Sequence, residues 1–189
     1  MKKPRQEEIP RTILKYNTVN VDAGFLERGG KILFLNPACV VTAIGDVTDS
    51  LCTTPEFTLK LLPPNVAGNI HEVKKILLQS TFSADPKLKK KYPIPEWLSD
   101  FKKAEHLKLV NADLDNLCEI TDLPLQHLIF EDVSVNDADN LIGAIKQFKQ
   151  LNYVVYSESF PAYVVDAITK LNLGITLLTI GEYIDKGLW

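Results

Sequence analysis

The residues best equipped for chemistry are His106 and His127, 21 positions apart, with Glu131 and Asp132 just downstream of the second. Two imidazoles and a carboxylate are a donor set for a divalent transition metal. Their spacing is long for a ligand cluster, and the third histidine, His71, falls outside the period that relates the other two. The expectation is histidines that meet solvent or a partner, with no metal site. Cys39, Cys52 and Cys118 are odd in number and never closer than 13 positions, which removes a zinc ribbon and a thioredoxin-type pair. Buried thiols in a reducing cytoplasm are expected instead. The chain carries no nucleophile elbow, P-loop, HExxH or GxGxxG pattern. Gly29 and Gly30 precede the apolar run from Lys31 to Leu35, where a phosphate loop would follow one. Glu131, Asp132, Asp137 and Asp139 lack the spacing of a calcium loop and suit the start of a helix. The basic run Lys87, Lys89, Lys90 and Lys91 lies between Pro86 and Pro93 with only Tyr92 for stacking, and reads as a solvated loop. No catalytic residue and no cofactor are expected.

What must position these residues is set by length and pattern. The chain has 189 residues, 46% of them hydrophobic, and a formal net charge of −3. That is enough to bury a core without disulfides, and too near neutrality for a dedicated nucleic-acid or polybasic membrane binder. Residues Met1 to Glu8 are polar with no apolar run behind them, so a signal peptide is not expected. The most apolar stretch, Ile32 to Gly45, is interrupted by Asn36 and Pro37, so it is not expected to span a bilayer. A cytoplasmic protein is the resulting expectation.

An eleven-residue frame recurs, with small or apolar residues at positions 1, 4, 6, 9 and 11. Leu125, Leu128, Phe130, Val133 and Val135 fill it completely, as do Ala104, Leu107, Leu109, Ala112 and Leu114. Leu151, Val154 and Tyr156 open a third copy, continued by Ser159 and Pro161; Val73, Ile76 and Leu78 open an earlier one, continued by Thr81 and Ser83. Leu173, Thr176, Leu178, Gly181 and Tyr183 give a degenerate last copy. Start-to-start spacings are 31, 21, 26 and 22 residues. Between copies, Asn136 or Asp137 is placed to cap a helix carrying Leu141, Ile142, Ile145 and Phe148. Pro161 opens a second helix with Val164, Val165, Ile168 and Leu171 inward, and Pro95 does the same before Trp97, Leu98 and Phe101. Each unit is a short strand followed by a helix or turn, and a stack of units buries what one cannot.

With these residues the chain resembles the leucine-rich repeat family. The resemblance runs through Ile94, Pro95, Glu96, Trp97 and Leu98 into Leu107 and Leu109, then Leu125, Leu128 and Phe130, then Leu151, Val154 and Tyr156. It covers about residues 70–189 and departs from the family at the ninth position, where Ala112, Val133, Ser159 and Gly181 replace the usual asparagine. The resemblance implies an α/β solenoid with parallel strands on one face and helices or turns on the other. The alternative is a generic α/β open parallel sheet. Residues 71–189 are expected to form the solenoid and residues 1–70 a capping segment with short strands, Lys31 to Leu35 and Val40 to Ala43 among them. Weaker echoes of the frame occur in the cap, at Gly29, Ile32, Phe34 and Pro37 and at Leu59, Leu61, Pro64 and Val66.

Positions 3, 5 and 7 of the frame then line the strand face in columns about 4.8 Å apart. Position 3 holds Lys75, His106, His127, Tyr153 and Ile175; position 5 holds Leu77, Lys108, Ile129, Val155 and Leu177; position 7 holds Gln79, Val110, Glu131, Ser157 and Thr179. The middle column is nearly all aliphatic, so a partner or the chain itself must cover it. The expected function is non-enzymatic recognition of a protein partner on the concave strand face, with the size and acidity of a bacterial adaptor or immunity-type protein. Its contact residues are expected to be His106, Lys108, His127, Ile129, Glu131, Tyr153, Val155 and Glu158, with Tyr153 and Ile129 as anchors. Neither nucleic acid nor membrane is an expected partner. The alternative from another class is an α/β enzyme whose site gathers Asn111, Asp113, Glu131, Asp132, Ser157 and Glu158 at the strand ends. A third option is a structural subunit that forms a homodimer through the apolar column.

Overall fold

The computed structural model describes residues 30–36, 39–44, 47–53, 72–79 and 91–188. The frame echo from Leu59 to Val66, and Lys87, Lys89 and Lys90, lie outside them. Strands β1 (Gly30–Asn36), β2 (Cys39–Ile44) and β3 (Val47–Thr53) form an antiparallel meander. From β3 the sheet continues in parallel through β4 (Lys75–Gln79), β6 (His106–Val110), β8 (His127–Glu131), β9 (Tyr153–Tyr156) and β10 (Thr176–Thr179). The eight strands follow one another across the sheet in chain order. Strands β5 (Tyr92–Pro93) and β7 (Ala112–Asp113) pair separately, and Asp113 bridges to Ser134. The protein is therefore of the α/β class, with a mostly parallel sheet.

The expected frame matches the pairing over four copies. Lys75, His106, His127 and Tyr153 are mutual neighbours, as are Leu77, Lys108, Ile129 and Val155. Positions 4 and 6 face the main core, where Ile76, Leu78, Leu107, Leu109, Leu128, Phe130 and Val154 are all fully buried. The last copy corrects the expectation by one residue: Thr176 pairs with Tyr153 and Leu178 with Val155, so Ile175 and Leu177 leave the outer columns. A one-residue slip exchanges the faces of a strand. Here it turns Ile175 and Leu177 toward the main core and Leu178 toward Ile129 and Val155. The left-handed residues Asn172 (φ 50°) and Gly174 (φ 73°) lie in the connection that sets this phase.

The connections cover the core face. Helix α1 (Ala138–Ile145) starts where Asp137 accepts the Asn140 N–H at 3.0 Å and buries Leu141, Ala144 and Ile145. Helix α2 (Ala162–Lys170) follows Pro161 and buries Val164 and Ile168. After Pro95 the chain makes a 3-10 turn, Glu96–Asp100, that buries Leu98; a second, Leu117–Ile120, buries Leu117 and Ile120. Cys118 in that turn is exposed, contrary to the buried thiol expected, because the turn spends its inward positions on the two aliphatic residues. Phe130 stacks on Phe160 at 5.5 Å, joining β8 to the start of α2.

Candidate functional site

The opposite face of the sheet carries positions 3, 5 and 7, and the chain covers its centre with its own C-terminal helix. Helix α3 (Ile180–Asp185) begins directly after β10 through a capping box: Thr179 and Glu182 hold each other's backbone N–H. These bonds to Thr179 also keep the exposed Glu182 carboxyl below its ordinary pKa. The helix turns Tyr183 onto the sheet, where it is 2% exposed and packs with Ile129, Val155 and Leu178. The sequence reading missed this element because it assigned Gly181 and Tyr183 to a last repeat. Thr179 three residues before Glu182 is the sequence signature that would have found it.

Four aromatic rings meet under α3. His106 stacks on His127 at 4.0 Å with the ring planes 14° apart, and His127 stacks on Tyr153 at 4.7 Å. Tyr183 meets His127 edge-on at 5.6 Å. The Tyr183 hydroxyl lies 2.7 Å from His127 Nδ1, 3.4 Å from His106 Nδ1 and 2.9 Å from the Leu188 carbonyl oxygen. A carbonyl only accepts, so the single hydroxyl proton goes to Leu188, and His127 donates its Nδ1–H to the phenol oxygen. This assigns neutral His127 the Nδ1–H tautomer. Burial lowers the His106 pKa to about 3, helped by the neighbouring His127, Lys75 and Lys74. Burial also lowers that of His127; Lys75 adds to the shift and Glu105 opposes it. Burial and Tyr153 together raise the Tyr183 pKa. Both Nδ1 atoms face the Tyr183 hydroxyl, so this oxygen stands at the point that a metal shared by the two imidazoles through Nδ1 would need.

The eight expected contact residues are thus divided by burial. Ile129 and Val155 are 2% and 0% exposed, and His127 is 8% exposed, so α3 occupies the place expected for a partner. The same helix covers Ile129 and Val155 of the apolar column that the third option assigned to a homodimer. His106 and Tyr153 are half-buried at its margin. Lys108 Nζ reaches Glu131 Oε2 at 2.6 Å, across positions 5 and 7 of adjacent strands. Glu158 is exposed at the strand ends.

There a cleft of about 640 Å³ is lined by Glu131, Asp132, Tyr156, Ser157, Glu158 and the first residues of α3. Ser157 and Ser159 hydroxyls lie 2.8 Å apart, and Ser159 donates to Asp132 Oδ1 at 3.2 Å. Four of the six strand-end residues expected for an enzyme, Glu131, Asp132, Ser157 and Glu158, therefore converge on this cleft. Asn111 and Asp113 do not line it. Asp113 instead accepts twice from Asn136 Nδ2, which also donates to Asp115 Oδ2 at 3.0 Å. Lys91, its pKa lowered by partial burial, faces Asp132 and Asp113, which counter that shift.

The backbone behind these residues repeats as well. Asn111 (φ 59°) and Asp132 (φ 51°) occupy the same position, the eighth, of successive copies, and both are left-handed. After glycine, Asn and Asp are the residue types that tolerate this conformation with least strain. Asn116 ties two of the connections together: it accepts from Ile94 N at 2.9 Å and donates to Ile94 O at 2.8 Å.

Fold and face together define an α/β protein with a mostly parallel sheet, one face built into the core and the other carrying side-chain columns partly closed by helix α3. Comparison with known proteins finds no family model and no curated protein that matches this sequence. Among the described residues no helix is long and apolar enough to cross a membrane.

Proposed function

We propose that the chain is a protein-recognition module of the leucine-rich-repeat kind, a solenoid without catalytic activity. Its contact surface runs from the half-buried strand-face residues Lys75, His106, Lys108 and Glu131 to Tyr153 and the exposed strand-end Glu158. What supports this reading is the register: equivalent positions of successive copies are neighbours on a rigid sheet, so side chains change while the backbone repeats. The aliphatic middle of the expected surface belongs to α3, which leaves the polar columns and their charge pattern as the source of specificity. A photo-cross-linking residue at Lys75 or at Glu158, with Asp166 on the opposite helical layer as control, tests it in the native host. A discrete protein adduct from the first two sites and none from the third is expected. Equal labelling from all three sites, or none, would sink the reading.

A second reading, an enzyme acting at the strand ends, is favoured by the cleft and its chain of Ser157, Ser159 and Asp132. In this reading the Asp132 carboxylate accepts the Ser159 proton and makes Ser159 the nucleophile. A serine-directed phosphonate probe that labels Ser159, and fails with Asp132→Asn, would establish it in place of recognition.

A further inference from the structure

We propose that α3 is a proton-sensitive latch: it closes over the apolar column while His106 and His127 are neutral, and releases when they take up protons. A helix of six residues has no stability of its own in water. What holds α3 is therefore its capping box, the docking of Tyr183 on the histidine stack, and the packing of Ile180 and Leu188 around it. The Tyr183 ring is buried against Ile129, Val155 and Leu178, and its hydroxyl is shared between His127 and the Leu188 carbonyl. Closing the helix places both imidazoles at its dry margin, 4.0 Å apart.

A positive charge on either ring is disfavoured there for three reasons. Burial strips its water. The other imidazole and Lys75 stand on the neighbouring strands of the same column, with Lys74 beside Lys75. The carboxylate that acts on His127 is Glu105, and its Oε1 is already 3.1 Å from Lys74. Tyr153 and Tyr183 contribute neutral rings.

The sign follows. In the closed state His106 stays neutral down to about pH 3, and His127 is lowered in the same direction. With the helix released and the column rewetted, both rings move back toward their ordinary value of about 6.5. Between those limits the released state binds more protons than the closed one. Closure is therefore complete above about pH 6.5 and weakens as pH falls, about tenfold per pH unit for each proton taken up on release. Release uncovers Ile129, Val155 and Leu178, the apolar part of the column. This inference does not depend on the recognition reading and survives its failure.

Hydrogen exchange of the full chain reads the latch directly, at the Lys186, Gly187 and Leu188 amides that α3 bonds internally. After correction for intrinsic rates, their protection is expected to fall at least tenfold per unit below about pH 6, while amides of β8 and β9 keep theirs. His106→Gln with His127→Gln is expected to flatten this profile. Tyr183→Phe is expected to lower protection at every pH and keep the slope, since the ring still buries the pair. Protection that is flat with pH in the parent, or that falls in step with the β8 and β9 amides, would overturn the latch. So would a slope unchanged in the double glutamine variant. If that variant does not fold, imidazole ¹⁵N shifts of the parent decide: protonation accompanied by loss of α3 protection supports the latch, and protonation with α3 still closed ends it.

Discussion

At the scale of single residues, two kinds of side chain organise this protein, one by permitting a backbone turn and the other by hydrogen bonding between connections. Asn111 and Asp132 take left-handed backbone at the end of successive strands and let the chain turn out of the sheet. Asn116 and Asn136 then tie the turned segments together, the first through both backbone groups of Ile94 and the second through Asp113 and Asp115. Asn111 supplies a clean test. Asn111→Gly is expected to leave the denaturation midpoint within a few tenths of a kcal/mol, since glycine accepts positive φ. Asn111→Val, with a branched Cβ in the same place, is expected to lose about 1–2 kcal/mol in a urea melt. Equal losses for the two would show that the side chain's bonds matter at this position and its backbone does not.

At the scale of elements, the helices differ in what keeps them folded. Helices α1 and α2 lie on the main core and bury Leu141, Ala144, Ile145, Val164 and Ile168, so the Asp137 cap of α1 adds to a stability that packing already supplies. Helix α3 has one buried side chain, Tyr183, and a complete capping box. Cap removal is therefore expected to act differently on the two. Asp137→Ala should cost about 1 kcal/mol of global stability, seen as a shift of the whole melt. Thr179→Ala should leave the global melt nearly in place and instead speed proteolysis between Gly181 and Trp189, because the affected segment opens locally. A shared global shift would mean that α3 unfolds only with the sheet. Much of the element layer was legible: Pro161 and Asp137 mark the two starts they were expected to mark, and the strands Lys31 to Leu35 and Val40 to Ala43 lie within β1 and β2. Strand β3 lacked a sufficient pattern, since Thr48, Asp49 and Ser50 dilute its apolar residues.

At the scale of the whole molecule, the sheet is assembled from neighbours in the chain, and its two faces have different owners. One face belongs to the core; on the other, α3 covers Ile129 and Val155, and Lys75, His106, Lys108 and Glu131 beside them are half-buried. Substituting Ile129→Lys together with Val155→Lys tests this division. Two charges would have to enter a site that is dry in the closed molecule, and a loss of about 4 kcal/mol or more is expected. The readout is the thermal melt alongside oligomeric state by light scattering. A melt unchanged from the parent would mean that the column is open to water and that α3 does not cover it in solution.

What the sequence determined by itself is local and periodic. An apolar side chain every second residue specifies which strand face goes inward, and a repeated frame specifies which residues become neighbours, because strands that follow closely in the chain pair with least loss of loop entropy. Lys75, His106, His127 and Tyr153 could be set in one column on those grounds alone. Only the tertiary structure decided who covers that face. Ile129 and Val155 demand burial, and nothing local distinguishes a partner's side chain from one 28 residues or more downstream in the same chain. The choice fell to Tyr183, whose ring fills the apolar column and whose hydroxyl bonds to both His127 and Leu188. It was made by shape and hydrogen bonding between segments far apart in sequence, which a period cannot encode.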